Sequence, residues 1–199
     1  VHRLSARGAR RLIAHSAADI PPNLLEVELF GNRRDYPNPG TPGREGLIGT
    51  ANGTTLLLDE IALLPTELQG KLLRVLDEGG AFRRLGVDEE QRSDFRLIAA
   101  TNRPASMLKD DLLARLKIRI HTPALLERQE DIPLLIRHLV RKLLSSPAEA
   151  RLAGRFVLDR PGKEREVNLD PLLLDRWVRE EHPLNVRGLE AGLLHAMGA

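Results

Sequence analysis

Thr54-Thr55-Leu56-Leu57-Leu58-Asp59-Glu60-Ile61 is the stretch of sequence that decides how the rest of the chain is interpreted. Its β-branched start and continuous apolar run predict a strand buried on both faces, as in a parallel sheet. Asp59 and Glu60 stand at the carboxyl end of that strand, where open α/β sheets bind their ligands. Next to a nucleotide, one carboxylate can bind Mg²⁺ and the other can orient a water molecule. Taken alone, the stretch also fits a core strand whose last two residues are solvated.

The segments around this strand predict an α/β fold with a mostly parallel sheet flanked by helices, because predicted strands alternate with predicted helices. Strands are predicted at 12–16, 54–58, 81–85, 95–100 and 118–121, and helices at 23–30, 65–77 and 109–116. After Pro123 only helices are predicted, at 131–144, at 170–179 and from 185 towards the C-terminus. The sequence therefore predicts an α/β part, residues 1–122, followed by a small all-helical part, residues 123–199.

The composition is that of a globular protein, with 42% hydrophobic and 29% charged residues among 199. It shows no apolar run of membrane-spanning length, no signal peptide and no cysteine, which together favour a cytoplasmic location. The 30 basic and 28 acidic residues nearly balance, which argues against nucleic-acid binding by the whole surface. The six histidines show no ligand spacing, so we expect no structural metal. The chain begins Val-His-Arg without an initiator methionine, so we expect it to be a piece of a longer protein.

Seven segments, in this order along the chain, together resemble the AAA+ ATPase domain of bacterial sigma-54-dependent transcription activators, the NtrC-like family. They are Asn23–Gly31 with its Glu-Leu-Phe-Gly end, Thr54–Ile61, Lys71–Leu76, Arg96–Asn102, Asp111–Leu116, Leu125–Ile132 and Pro183–Glu190. The resemblance covers nearly the whole chain. It implies an AAA+ sheet followed by a helical lid, and a cytoplasmic ATPase that couples ATP hydrolysis at subunit interfaces to remodelling of a transcription complex.

The resemblance also implies roles for particular residues. Thr54–Ile61 is similar to the Walker B strand, so Asp59 would bind Mg²⁺ together with the ATP phosphates. Glu60 would position or activate the attacking water. Thr101 and Asn102 match the sensor I position, where they would contact the γ-phosphate. ATP and Mg²⁺ are thus the cofactors implied for the intact parent protein.

Two arginines complete the site that the resemblance implies. Arg115 would act as an arginine finger in the neighbouring subunit's site, and Arg187 would contact the nucleotide phosphates from the lid. A planar, permanently charged guanidinium suits both roles. The alternative is that both are surface residues of amphipathic helices. The family further implies a homo-oligomeric ring, a hexamer or heptamer, and the sigma-54 RNA polymerase holoenzyme as partner. No helix-turn-helix is recognisable after Arg187, so contact with DNA would require a module outside this chain.

The sequence departs from the family most clearly in its phosphate-binding segment. No Gly-x-x-x-x-Gly-Lys-[Ser/Thr] motif occurs in the chain, and such a loop supplies most phosphate contacts in its class. By resemblance, His2–Ser5 follows the helix of that loop, so we expect the chain to start just after the Walker A segment. The intact parent would be an ATP hydrolase, whereas this chain alone would bind ATP poorly. The gene sequence before Val1 would distinguish an ATPase from a degenerate relative.

Four further departures from the family lie outside the phosphate-binding segment. The sigma-contacting loop, Gly-Ala-Phe-Thr-Gly-Ala in the family, is replaced by Asp35, Tyr36, Pro37, Asn38, Pro39 and Gly40. The family asparagine that restrains the Walker B glutamate falls at Ser16, and the first of two finger-segment arginines is Lys109. The Trp-Pro-Gly of the sensor II motif becomes His182-Pro183-Leu184. These departures leave a second hypothesis open, a non-hydrolysing AAA+ scaffold that regulates by protein–protein contact.

Overall fold

The structure is a computed structural model that describes residues 1–146, 151, 157–158, 166–167 and 170–198. Its strands are β1 (Ile13–Ser16), β2 (Thr55–Asp59), β3 (Ala81–Phe82), β4 (Gln91–Arg92), β5 (Arg96–Ala99), β6 (Val157–Leu158) and β7 (Glu166–Val167). Its α-helices are α1 (Leu25–Phe30), α2 (Gly46–Thr50), α3 (Thr66–Asp77), α4 (Asp110–Arg115), α5 (Ile132–Leu144), α6 (Pro171–Arg179) and α7 (Asn185–Gly198). Short 3-10 helices span His2–Leu4, Ala17–Asp19, Pro22–Leu24, Ile61–Leu63, Ala105–Met107, Leu125–Glu127 and Gln129–Asp131.

A parallel sheet in the order β1-β2-β5 is the centre of the first compact unit, Val1–Arg119. Leu56 and Leu58 of the middle strand are fully buried, as the apolar run predicts. They pack with apolar residues of α1, α2 and α3 in one core. Because the strands are parallel, their carboxyl ends lie at the same edge of the sheet. The predicted α/β fold class is therefore confirmed.

The second compact unit, Ile120–Ala199, is built mainly from α5, α6 and α7 around its own apolar core. The spacing of apolar residues in α5 buries Ile132, Ile136 and Val140 completely. Trp177 of α6 joins this core with 7% of its surface exposed. The prediction of an all-helical part is wrong in one detail, because β6 and β7 pair as a short antiparallel ladder. No helix among the described residues is long and apolar enough to cross a membrane.

The predicted strand at 118–121 is wrong, because the structure gives this segment no regular secondary structure. Ile118 and Ile120 are 80% and 77% exposed, and no strand of the described residues pairs with them. Alternating apolar residues indicate an extended chain, but a strand also requires a partner edge. The helix α2 was not predicted, because its sequence Gly-Leu-Ile-Gly-Thr follows a Pro- and Gly-rich loop and contains two glycines.

Gln69 is a buried amide that joins α3 to the segment before α4. Its Nε2 donates to the carbonyl oxygens of Leu64 at 2.9 Å and Met107 at 3.2 Å. Its Oε1 accepts from the backbone N–H of Lys109 at 2.9 Å. Only 2% of the residue is exposed, so water cannot replace these partners. The amide therefore fixes where α4 begins relative to α3.

We expect Gln69→Ala to lower the free energy of unfolding by about 2–3 kcal/mol, because it leaves two carbonyls and one N–H without partners. Urea unfolding followed by circular dichroism measures this change. Gln91→Ala is the control, since Gln91 lies half-buried in the short hairpin strand β4, and it should cost less than about 1 kcal/mol. Equal effects of the two substitutions would contradict the role given to Gln69.

Candidate active site

Polar residues from two neighbouring strands meet at the carboxyl edge of the sheet. Asp59 ends β2, and Thr101 and Asn102 follow β5 after one intervening residue, Ala100. The backbones are tied at this point, because Ala100 N–H donates to Leu58 O and Ile61 N–H donates to Ala100 O, each at 3.0 Å. The structure therefore brings together four of the residues singled out from the sequence, Asp59, Glu60, Thr101 and Asn102.

Glu60 has a left-handed backbone conformation, with φ of 52°. This conformation is uncommon and costs a residue with a side chain about 1 kcal/mol or more. Its N–H donates to the Asp59 carboxylate oxygen Oδ1 at 2.9 Å. The turn places Asp59 exposed and Glu60 half-buried, so two adjacent carboxylates have different surroundings. Strained backbone of this kind is concentrated at functional sites.

The Thr101 hydroxyl connects the two strand ends. Its Oγ1 accepts from the backbone N–H of Arg103 at 3.1 Å and donates to Glu60 Oε2 at 3.4 Å. Because the Arg103 N–H occupies a lone pair, the hydroxyl proton is free to point at the carboxylate. Asn102 is exposed beside this pair. Thr101 thus holds the Glu60 side chain from the neighbouring strand.

Ser16, at the family position of the restraining asparagine, makes a different contact. It lies opposite Asp59 in the sheet, and its Oγ accepts from the Ala18 N–H at 3.2 Å as the cap of a 3-10 helix. Within the described part of the chain, no hydrogen bond joins Ser16 to Glu60. The contact with the Glu60 side chain therefore comes from Thr101 and not from Ser16.

Arg115 and Arg187 lie on helices of the two separate units. Arg115 is the last residue of α4, and its Nη2 forms an ion pair with Asp77 Oδ1 at the end of α3. Lys109 lies along α3, since a Cβ built on Gly70 would be 3.5 Å from its Nζ. Arg187 belongs to the second unit, where it is exposed on α7. The two arginines thus come from separate units and different helices.

The donor set at the sheet edge fits a nucleotide-bound Mg²⁺ rather than a metal held by the protein alone. Among the described residues, no group of three or more His, Cys, Asp or Glu side chains could hold a metal ion. Mg²⁺ in nucleotide sites usually keeps several waters and uses one or two carboxylates plus substrate phosphates. Asp59 is exposed and its Oδ1 accepts only the Glu60 N–H. It can supply that carboxylate.

Residues 32–44 fold back on themselves. The backbones of Asn32 and Arg44 pair in both directions at 3.0 Å, and Arg33 N–H donates to Leu85 O at 2.9 Å. Asn32 is 1% exposed, and its Nδ2 lies 2.9–3.1 Å from the carbonyl oxygens of Arg33, Tyr36 and Pro42. The loop is therefore closed at its base by one buried amide.

The outer part of the loop has contacts of its own. Asp35 Oδ1 accepts from Gly40 N–H at 2.7 Å, and Asp35 N–H donates to Thr41 O at 2.8 Å. The Tyr36 ring lies on Gly86, where a Cβ would come within 2.6 Å of two ring atoms. Pro37, Asn38 and Pro39 remain exposed at the tip. The matched sigma-contacting segment thus presents two prolines, while its aromatic residue faces the neighbouring turn.

We expect Asn32→Leu to make tryptic cleavage after Arg33 and Arg34 about ten-fold faster, because three carbonyls lose their donor and the loop opens more often. Cleavage rates are measured by mass spectrometry under native conditions. Asn38→Ala is the control, since Asn38 is exposed at the loop tip. If Asn32→Leu and the control are cleaved at the same rate, the buried amide does not close the loop.

The fold and the strand-end carboxylates define the AAA+ class of domains. The chain belongs to the sigma-54 interaction domain family, whose profile matches residues 1–124. This finding confirms the resemblance derived from the sequence motifs.

Two curated relatives and one solved structure show the extent of the similarity. The formate hydrogenlyase transcriptional activator FhlA of Escherichia coli K12 is 41% identical over 182 residues, 84% of this chain and 26% of FhlA. The transcriptional regulatory protein GlrR of the same strain is 43% identical over 149 residues, 71% of this chain and 33% of GlrR. The crystal structure of NtrX from Brucella abortus in complex with ATP superposes with a TM-score of 0.77 at 28% identity, covering 98% of this chain and 40% of NtrX. The chain thus spans about a quarter to a third of the length of these curated relatives.

Three residues that organise the site were missed by sequence reasoning. They are Asn32, Gln69 and Asp77. Gln69 and Asp77 have partners distant in sequence, whereas the partners of Asn32 lie within ten residues. A polar residue among buried positions of a predicted helix would have identified Gln69, since buried amides are normally hydrogen-bonded. Asn32 and Asp77 give no comparable signal.

Proposed function

We propose that this chain is the core of an AAA+ ATPase in a sigma-54-dependent transcriptional regulator, in which ATP hydrolysis at subunit interfaces remodels a transcription complex. One observation carries the proposal. Asp59 and Glu60 follow the middle strand of a parallel sheet and adjoin Thr101 and Asn102 of the next strand. In AAA+ relatives of this kind a nucleotide is bound, as the NtrX structure with ATP illustrates.

Each residue at the sheet edge has a distinct proposed task. Mg²⁺, bound with ATP, supplies charge neutralisation at the phosphates, and Asp59 would hold it. Glu60 orients and deprotonates the attacking water, for which its carboxylate must be ionised and correctly placed. Thr101 keeps that carboxylate in position through its hydroxyl. Asn102, exposed beside Thr101, contacts the γ-phosphate through its amide.

The remaining proposed contacts involve other subunits and other proteins. Arg115 is the finger that stabilises charge on the γ-phosphate of a neighbouring subunit in a ring of six or seven. Arg187, which belongs to the second unit, contacts the nucleotide phosphates. We propose that residues 123–199 form the lid of the α/β part, residues 1–122. Residues 35–40 face the sigma-54 holoenzyme, and DNA is contacted only through a module outside this chain.

A regulatory scaffold without hydrolysis is the second candidate function. The folded state of residues 32–44 favours the scaffold function. The Tyr36 ring packs against Gly86, and prolines stiffen the exposed tip of the loop. Such a scaffold would keep the AAA+ surface for assembly and would act by protein–protein contact.

The dependence of ATP turnover on protein concentration separates the two functions. We expect turnover per subunit of the full gene product that carries this chain to rise with concentration, because sites at subunit interfaces form only on assembly. Steady-state phosphate release across a dilution series, with light scattering for size, measures it. Turnover that is independent of concentration would contradict an interfacial site. Absence of turnover in assembled protein would favour the scaffold.

A further inference from the structure

The carboxyl-terminal ends of α3 and α4 meet in one ion pair. Asp77 is the last residue of α3 and Arg115 is the last residue of α4. Arg115 Nη2 contacts Asp77 Oδ1, with side chains 46% and 39% exposed. The pair is therefore accessible to solvent and to an approaching subunit.

Contacts at the other end of the two helices fix the register of this pair. Gln69 Oε1 accepts from the Lys109 N–H at 2.9 Å, and the Lys109 side chain lies over Gly70. Residue 69 thus adjoins residue 109, and residue 77 adjoins residue 115. These two contacts indicate that the helices run in the same direction. The position of the Arg115 guanidinium is consequently set by α3 of the same chain.

Local helix stability does not account for a carboxylate at this position. The carboxyl end of a helix carries partial negative charge, so an aspartate there is unfavourable and a cation is favourable. The 12-residue helix α3 ends in Asp77 nevertheless. Exposed ion pairs shift equilibria by a factor of about two to five. The main effect of Asp77 is therefore to determine where the guanidinium of Arg115 lies.

We propose that Asp77 is a positioning residue that restrains Arg115 on its own subunit and competes with the phosphates of a neighbouring subunit's nucleotide. The proposal rests on the finger role proposed for Arg115. While the Arg115 guanidinium is paired with Asp77, it cannot bind the phosphates of a neighbouring nucleotide with the same N–H groups. The polyphosphate of a nucleotide carries more negative charge than one carboxylate, so assembly around ATP shifts Arg115 away from Asp77. In the unassembled subunit, Arg115 therefore stays paired with Asp77 of its own chain.

Arginine-selective labelling of the chain tests the restraint directly, without any need for ATP. Phenylglyoxal is the probe, and mass spectrometry gives the rate of modification of Arg115 relative to exposed Arg103. Asp77→Asn should raise that relative rate about two- to five-fold, as loss of an exposed ion pair implies. Asp77→Glu should restore a rate near the wild-type value. Glu78→Gln, one residue further and equally exposed, should leave the rate unchanged. Equal Arg115 rates in Asp77→Asn and wild type would overturn the proposal.

ATP turnover of the full gene product tests the competition. Asp77→Asn should lower the protein concentration of half-maximal turnover about two- to five-fold, because the finger no longer has to leave a carboxylate. An unchanged or raised concentration would overturn the competition, and a lower maximal rate would show that Asp77 supports catalysis instead. Wild-type protein without turnover would contradict the proposed function, whereas the labelling rates would still decide whether Asp77 restrains Arg115.

Discussion

In the full gene product that carries this chain, Glu60→Gln is expected to abolish steady-state ATP hydrolysis while ATP binding stays within about two-fold of wild type. The amide keeps the size and shape of the side chain but cannot accept the proton of the attacking water. Loss of a positioned general base typically costs a factor of about 10²–10⁴ in rate. Binding should persist because the phosphates would be held by Asp59-bound Mg²⁺ and by arginines. The Thr101 hydroxyl, 3.4 Å from Glu60 Oε2, can also donate to an amide oxygen.

Phosphate release and binding of a fluorescent ATP analogue, measured on the same protein preparation, give the two quantities. Glu67→Gln is the matched control, because it removes a carboxylate from an exposed position on α3 whose partner is Lys71 at 3.3 Å. Hydrolysis by the Glu60→Gln protein at the wild-type rate would remove Glu60 from its proposed role. Loss of binding together with hydrolysis would instead indicate that Glu60 contributes to holding the nucleotide.

Arg115→Ala is expected to lower turnover by roughly three to five orders of magnitude, as removal of an arginine finger does. The guanidinium would stabilise charge that develops on the transferring phosphoryl group of the neighbouring subunit. Because the chain itself pairs Arg115 with Asp77, some of the energy released on finger engagement must offset the loss of that pair. Arg92→Ala, which disturbs only an exposed contact with Glu90 at 3.7 Å, is the control.

Mixed rings distinguish a finger that acts on a neighbour from one that acts on its own subunit. When Arg115→Ala and Glu60→Gln subunits are mixed, some interfaces combine an intact finger with an intact Glu60, so activity should reappear. Subunits that carry both substitutions should remain inactive when mixed with either single variant, because no interface in those mixtures combines an intact finger with an intact Glu60. If mixing restores no activity although mixed rings form, Arg115 does not act in trans.

Sequence reasoning predicted the elements that local pattern determines. The buried strand before Asp59 is a continuous apolar run, and the helix before Gly79 and the long helix ending at Leu144 each carry a helical periodicity. The order of motifs then identified the family and located the strand-end residues that the structure brings together. Parallel pairing explains this success, because it aligns every strand's carboxyl end at one edge.

The sequence could not predict contacts between residues distant along the chain. Ser16 was assigned the restraining position by its place in the motif order, yet its hydroxyl caps a 3-10 helix and Thr101 contacts Glu60. The sequence predicts a strand at 118–121, but no strand among the described residues pairs with that segment. Asp77 gained significance only from its partner Arg115. Pairwise geometry of this kind is set by tertiary packing and leaves no periodic trace.

The packing of the Tyr36 ring against Gly86 makes this tyrosine an intrinsic optical reporter of the first unit, and Trp177 is the corresponding reporter of the second unit. Tyr36 is the only tyrosine and Trp177 the only tryptophan in the sequence. The tyrosine belongs to the loop of the first unit, and the tryptophan is packed in the core of the second. Ultraviolet difference spectra of the phenol can therefore follow opening of the loop, and indole fluorescence can follow the helical unit. Both signals come from one unlabelled sample, so the order of the two events during unfolding becomes measurable.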